Sequence, residues 1–226
     1  MSTPANTIQR RDFLGTLVAT TAFGIANLAP FRLDAGQDQA AGSSSSAEFE
    51  AWLGKIQGKH KQLFDVPQHR GGLPFAWARV FMMTNEAVGT PEKDVSAVIV
   101  LRHEAIPLAM ESRLWKKYKF QKMFGVTDMM KKTPVNENMW WQPKEGTLPL
   151  PGMSIDQLQK SGVLFGVCDM ALTVYSMGAA EAMKMKPEEV KKDWVSGILP
   201  GIQIVPSGVL AVNRAQEHGC TYCFAG

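Results

Sequence analysis

The chain has 226 residues, of which 45% are hydrophobic and 20% charged, with a formal net charge of +3 at pH 7. That length bounds the fold at one domain with a leader, or at most two small domains, and the composition excludes wholesale disorder and a membrane bundle. The weak net charge, with lysines scattered among acidic residues rather than gathered into a stripe, implies no nucleic-acid partner. There are three cysteines, an odd number, so one thiol is left over if a single intramolecular disulfide forms.

Residues 1–46 read as a segment outside the fold. Gln9-Arg10-Arg11-Asp12-Phe13-Leu14-Gly15 is a twin-arginine pattern, and the Ala-, Thr- and Gly-rich run from Thr16 to Ala29 that follows is only mildly apolar. The order of polar leader, Arg10-Arg11, Phe13-Leu14 and weakly hydrophobic segment is that of a Tat export signal. The run is shorter than the roughly 20 residues needed to span a bilayer, so no stable membrane anchor is expected. Cleavage is expected between Ala35 and Ala47, with Gly42 to Ser46 as a flexible linker. The expected destination is the periplasm and the expected first partner is the Tat translocon. In that oxidising compartment exposed thiol pairs tend towards disulfides.

The single folded domain, 47–226, opens with an expected helix from Ala47 to about Phe64 carrying the stripe Phe49, Trp52, Leu53, Ile56 and Leu63. Pro67 to Pro74 reads as a loop. Phe75 to about Met83 reads as the first strand, ending at Asn85 and Glu86, and the β-branched run Val95 to Leu101 as the second, ending on Arg102 and His103. A helix is expected from about Leu108 to Phe120. Gly125 to Gly152 reads as a long inserted loop with four prolines and the adjacent pair Trp140-Trp141, which suits a structural staple or an interface better than ligand stacking. A short helix is expected near Ser154 to Lys160.

The rest is organised around Gly162 to Ala171, GVLFGVCDMA. Val163, Leu164, Phe165 and Val167 form a charge-free run suited to a strand covered on both faces. Cys168 falls at its carboxyl end, and a helix towards Met185 follows with Asp169 as its N-cap. The free N–H groups and dipole of a helix start favour an anion there, while Asp169 opposes one. The bland alternative is an inert core cysteine, since free cysteine is among the most buried residue types. Pro187 starts a second helical stretch to Ile198. Ile202 to Val205 reads as strand four, Val209 to Glu217 as a helix capped by Gly219, and Cys220 to Phe224 as a last short strand or turn. Strands alternating with helices indicate an α/β fold with a mainly parallel sheet of four to five strands.

In open α/β sheets ligands bind outside the carboxyl ends of the strands. On this reading those ends deliver Asn85 and Glu86, then Arg102 and His103, then Cys168 and Asp169, then Ser207. A cysteine beside His and Arg suits nucleophilic attack, persulfide carriage or metal ligation. A serine hydrolase fits poorly, because Pro206-Ser207-Gly208 lacks the G-x-S-x-G elbow, and no phosphate-binding loop follows a strand. The tail His218-Gly219-Cys220-Thr221-Tyr222-Cys223 leaves a metal ion, a disulfide or redox exchange open. If that tail is a strand, Cys220 and Cys223 lie about 10 Å apart on opposite sides, too far to bond each other. Thirteen methionines, Met129-Met130 and Met183-Lys184-Met185 among them, raise copper, although most sit where core or helix-face packing explains them.

Three stretches, VIVLRHEAIP at 98–107, GVLFGVCDMAL at 162–172 and LPGIQIVPSGVLAVNRAQEHGCTY at 199–222, resemble the DsrE/DsrF-like sulfur-relay family. The resemblance implies a flavodoxin-like, three-layer α/β/α fold and assembly as a homo-oligomer, a trimer or hexamer. It also implies a cysteine after the third strand that carries a persulfide, the position matched here by Cys168. The expected function is carriage or transfer of sulfane sulfur on Cys168, with His103 and Arg102 in support, between a sulfur donor and an acceptor protein. Other classes stay open: a non-enzymatic metal- or small-ligand-binding protein using His103, Cys168 and the tail pair, with copper, zinc or iron as the metal, or an oligomeric accessory subunit. The export leader, the 125–152 region and the tail cysteines depart from the family pattern.

Overall fold

Five parallel strands frame the molecule, in the order β4-β3-β2-β1-β5. They are β1 (His60–Val66), β2 (Val95–Leu101), β3 (Leu164–Cys168), β4 (Ile202–Val205) and β5 (Thr221–Phe224). The computed structural model describes residues 45–226; the stretch read as a twin-arginine leader, Arg10 and Arg11 included, lies outside the described residues. The helices are α1 (Ser46–Leu53), α2 (Leu73–Ala87), α3 (Ser112–Tyr118), α4 (Phe120–Phe124), α5 (Ile155–Lys160), α6 (Asp169–Met183), α7 (Pro187–Ser196) and α8 (Gly208–Glu217). Among the described residues no helix is long and apolar enough to cross a membrane.

The strand order dictates which helix covers which face. From β1 to β4 the chain steps in one direction across the sheet, and right-handed crossovers then place every connection on one side. Phe75 and Ala78 of α2, Leu158 of α5, Leu172 and Ala179 of α6 and Trp194 of α7 accordingly share one core with Phe64, Ile99, Leu101, Phe165 and Val167. From β4 the chain returns across the whole sheet to pair β5 with β1. The connecting helix α8 therefore lies on the other side, where Ala211 and Ala215 join Phe49, Trp52 and Leu53 of α1 over Leu63, Val98, Val100 and Val205. The result is the expected three-layer, flavodoxin-like α/β arrangement.

Three elements differ from the sequence reading; the helix expected from Leu108 to Phe120 is α3 alone, preceded by a 3-10 stretch at His103–Ala109 and parted from α4 by Lys119 at φ 53°. The first helix stops at Leu53 because Gly54 caps it and Gly58 takes φ +88° two residues before β1 begins. The segment read as strand one, Phe75 to Met83, is helix α2. Gly72 at φ 81° opens it, Pro74 occupies its first turn, and Phe75 and Ala78 supply its buried face. Its apolar residues recur every three to four positions, a helical period that a contiguous run of large side chains disguises.

The region 125–152 carries little regular structure, yet it is fastened at its centre. Trp140 is buried, stands 6.1 Å from Trp115, and lies so close to Gly72 that any side chain there would occupy the indole's space. Asn138 holds the approach, donating to the carbonyls of Leu108 and Met110 at 2.8 and 2.9 Å and accepting from the Trp140 backbone N–H at 3.2 Å.

Candidate functional site

The connections after β3 and β4 leave the sheet in opposite directions, to α6 on one face and α8 on the other. The carboxyl ends of these two neighbouring strands are thus a topological switch point, the place where open α/β sheets bind ligands, and Cys168 there is buried, 6% exposed. Cys168 and Val205 are register partners at that point.

Cys168 ends β3 with extended backbone, φ −73° and ψ 112°, and its Sγ accepts the Ala171 N–H at 3.3 Å. The thiol is thus itself the N-cap of α6, a correction to the expectation that Asp169 would be. A cysteine can take this role because the cap needs only an acceptor on a short side chain. Asp169 is instead the first helical residue, buried and paired with Lys191 of α7 at 2.9 Å, so the negative charge next to the thiol is met by a cation.

Arg102 follows β2 directly. Leu101 pairs with Val167, so Arg102 and Cys168 are the next neighbours across adjacent strands. Arg102 turns to Asp65, donating from Nε to Oδ1 at 2.6 Å and from Nη2 to Oδ2 at 2.9 Å. Asp65 is 2% exposed, and its Oδ2 also accepts the Tyr222 hydroxyl at 2.8 Å. The hydrogen bonds to Asp65 raise the Arg102 pKa above its ordinary value against the opposing effect of burial. Burial, followed by the bond to Asp65, raises the Tyr222 phenol. Gly208, at the start of α8, makes room for the arginine: a Cβ there would lie 2.6 Å from Arg102 Cβ. Ser207 follows β4 closely, its hydroxyl accepting the Leu210 N–H at 3.1 Å as the N-cap of α8.

His103 leaves the strand on the other side. It holds φ 51°, a left-handed conformation uncommon for a residue with a side chain. Its ring meets the edge of Tyr175 at a centroid distance of 5.6 Å, and no hydrogen bond joins it to Cys168. Burial, with the nearby Glu104 carboxylate, pushes the Tyr175 phenol up to about 12.

The expected convergence is therefore partial. Arg102, Cys168, Asp169 and Ser207 gather at the carboxyl ends of β2, β3 and β4. Asn85 and Glu86 do not: they belong to the last turn of α2, where the Asn85 amide donates to the Phe81 carbonyl at 2.9 Å. The tail residues lie elsewhere too. His218 and Cys220 precede β5, at the amino end of the sheet, and the His218 carbonyl accepts from Lys61 Nζ at 3.0 Å. Cys220 is buried with the α1/α8 core whereas Cys223 packs on the opposite core. The tail is a strand, so these two thiols do not bond each other. Burial raises the pKa of both. Cys223 aligns through Phe64 and Ile99 with Phe165. It is thus about 14 Å from β3 by three strand spacings, with Cys168 three residues further along. All three cysteines are free thiols, and the described residues gather no group of three or more His, Cys, Asp or Glu that could hold a metal.

Three polar residues of the site escaped the sequence reading: Asp65, Tyr222 and Lys191. Asp65 had a signal, a lone carboxylate in the apolar run LFDV, hidden once that run was taken for the end of a helix. Tyr222 and Lys191 are brought in by β5 pairing and by α7 folding back on α6, which no local pattern announces. No protein-family model matches this chain, and no curated protein matches it.

Proposed function

We propose that the protein carries sulfane sulfur on Cys168, as an exported member of the DsrE/DsrF-like family delivered to the periplasm by the Tat route and working as a homo-oligomer. The observation that carries this reading is the position of one thiol. Cys168 caps a 15-residue helix at the carboxyl ends of β3 and β4, with Arg102 following the adjacent strand, its guanidinium held by Asp65, and the carboxylate next to the thiol already paired. A helix start and a nearby cation both favour the anionic form of a sulfur nucleophile and of the persulfide it would bear.

The step is an exchange without net oxidation. The Cys168 thiolate attacks the outer sulfur of a donor persulfide, a new S–S bond forms, the donor's S–S bond breaks, and the donor leaves as a thiolate with the electron pair. An acceptor thiolate then attacks the outer sulfur of the protonated persulfide Cys168–S–SH, the Cys168 S–S bond breaks, and Cys168 leaves as the thiolate with the electron pair. In this reading Arg102 faces the developing negative charge and Ser207 stands on the β4 side. His103 stands apart with Tyr175, which makes it a poorer candidate for direct support than Arg102.

The test is intact mass of protein purified without reductant, in wild type, Cys168→Ser and Cys220→Ser/Cys223→Ser, after exposure to a low-molecular-weight persulfide. One added sulfur that survives the tail substitutions and vanishes with Cys168→Ser supports the reading. An adduct that stays after Cys168→Ser, or none on any chain, defeats it.

A further inference from the structure

We propose that Asp65 and Tyr222 are positioning residues that set how much of the Arg102 positive charge reaches the Cys168 thiol, so that the edge strand β5 tunes the site. The proposal rests on Cys168 being the reactive group and names a control on it that the reading above does not contain.

Arg102 and Cys168 each follow the last paired residues of β2 and β3, Leu101 and Val167, so their extended backbones lie about one strand spacing, ~4.8 Å, apart, and the arginine side chain runs from there to Asp65 on β1. The charge of Arg102 is not free, however. Asp65 engages Nε and Nη2 side-on, a two-point bond that fixes the plane of the guanidinium as well as its position. Since Asp65 is 2% exposed, water cannot substitute for the arginine, and the pair stays closed. Among the described residues Asp65 takes two of the five N–H groups, which leaves both on Nη1 and the second on Nη2 to act on anything else.

Two opposing effects then meet on Asp65. Its carboxylate cancels much of the field that Arg102 would exert on the thiol. Tyr222 donates to Oδ2, the oxygen that also holds Nη2, and draws charge density away from the arginine. Removing the phenolic O–H therefore tightens Asp65 on Arg102 and weakens the field at Cys168, whereas removing the Asp65 charge releases it. Asp65 lies one strand beyond Arg102, and among the described residues its carboxylate bonds only to Arg102 and Tyr222, so it acts mainly by holding the guanidinium, with its own more distant charge a smaller through-space contribution.

The experiment reads charge at the thiol rather than sulfur transfer. In a reduced Cys220→Ser/Cys223→Ser chain, Cys168 is alkylated at one fixed pH with neutral iodoacetamide and, separately, with anionic iodoacetate. The ratio of the two rates cancels the thiolate fraction and reports the local field. Relative to that background the iodoacetate-to-iodoacetamide ratio should fall about fivefold or more in Arg102→Gln, rise about fivefold in Asp65→Asn, and fall about twofold in Tyr222→Phe. In Arg102→Gln the further change Asp65→Asn should raise the ratio by less than about twofold, because only the distant carboxylate charge is then removed. A rise of the same size in that double variant, or a ratio unmoved by Asp65→Asn in the parent, overturns the proposal. Should Asp65→Asn fail to fold, Tyr222→Phe on the half-exposed edge decides alone, and an unchanged ratio refutes the idea. A chain that takes up no sulfur yet shows these ratios would end the relay reading and leave the charge control standing.

Discussion

Replacing Gly208 by alanine should break the Asp65–Arg102 pair without touching either residue. The added methyl would sit 2.6 Å from Arg102 Cβ and 2.8 Å from its Cδ. Its obstacle is the stem of the arginine, and the Cβ is fixed by the backbone, so relief means moving the chain of atoms that carries the guanidinium. Shifting that group by about 1 Å lengthens bonds of 2.6 and 2.9 Å beyond hydrogen-bond reach. Asp65 then keeps only the Tyr222 donor while remaining buried. A charged hydrogen bond contributes about 1.5–3 kcal/mol, and stranding one partner of a buried pair costs about 3–5 kcal/mol. The expected loss is therefore about 2–4 kcal/mol, offset slightly by the gain in helix propensity at the start of α8. At a urea slope of about 2 kcal/mol per molar the unfolding midpoint should drop by about 1–2 M. Gly178, on the exposed side of α6, is the control, because a methyl group added there would meet nothing within 4 Å. Alanine at that position should leave the midpoint unchanged or raise it by up to about 0.5 M. A Gly208→Ala midpoint within about 0.3 M of wild type would refute the close packing of arginine on glycine.

Cys168→Ser should fold with little change in stability, because a serine Oγ caps the Ala171 N–H at least as well as sulfur at 3.3 Å; a drop of the thermal midpoint beyond a few degrees would count against the capping role. Asp193 is held down to about 2 because bonds from Lys117, Arg113 and Tyr118 outweigh the burial that would raise it. Its folded value lies below the ordinary carboxylate value, so its contribution is present above about pH 4 and is lost as pH falls towards 2. Asp193→Asn should abolish that part of the acid loss, on the order of 1–2 kcal/mol, measured by urea titrations from about pH 5 to 2. Trp140→Ala should cost about 3–5 kcal/mol as a fully buried aromatic. Trp140→Phe should cost far less, since the indole N–H has no partner to lose; equal losses in denaturant unfolding would contradict that account.

Where the physics is local, the sequence could be read closely. The apolar run 163–167 ends at Cys168 and a helix follows at once, because a doubly covered strand and a helix start each write their signature within a few residues. Phe75 to Met83 misled because large apolar side chains in a row satisfy a strand pattern and a helix pattern alike, and the deciding signals, Gly72 and Pro74, stand before the run. Mistaking that helix for a strand displaced Asn85 and Glu86 into the site and kept Asp65 out of it. The partners of Arg102 belong to another order of problem. Asp65 comes from 37 residues upstream and Tyr222 reaches Asp65 across 157 residues, so neither pairing exists until the sheet is assembled.

The return of the chain to the first strand also has a kinetic meaning. β1 acquires its outer neighbour only when a segment some 159 residues downstream arrives, as in the bond from Gln62 to Thr221. Loop closure over that distance is slow, and such non-local pairing retards folding relative to local helix formation. Until α8 has crossed the sheet, the apolar face carrying Leu63, Val98 and Val100 is covered only in part, by α1, and β1 presents an open edge. A partly assembled chain would thus expose both a greasy surface and a pairing template, the two features that invite aggregation. The last-paired strand is therefore the step by which the chain escapes that hazard, and slowing it should raise the yield of aggregates before it alters the finished molecule.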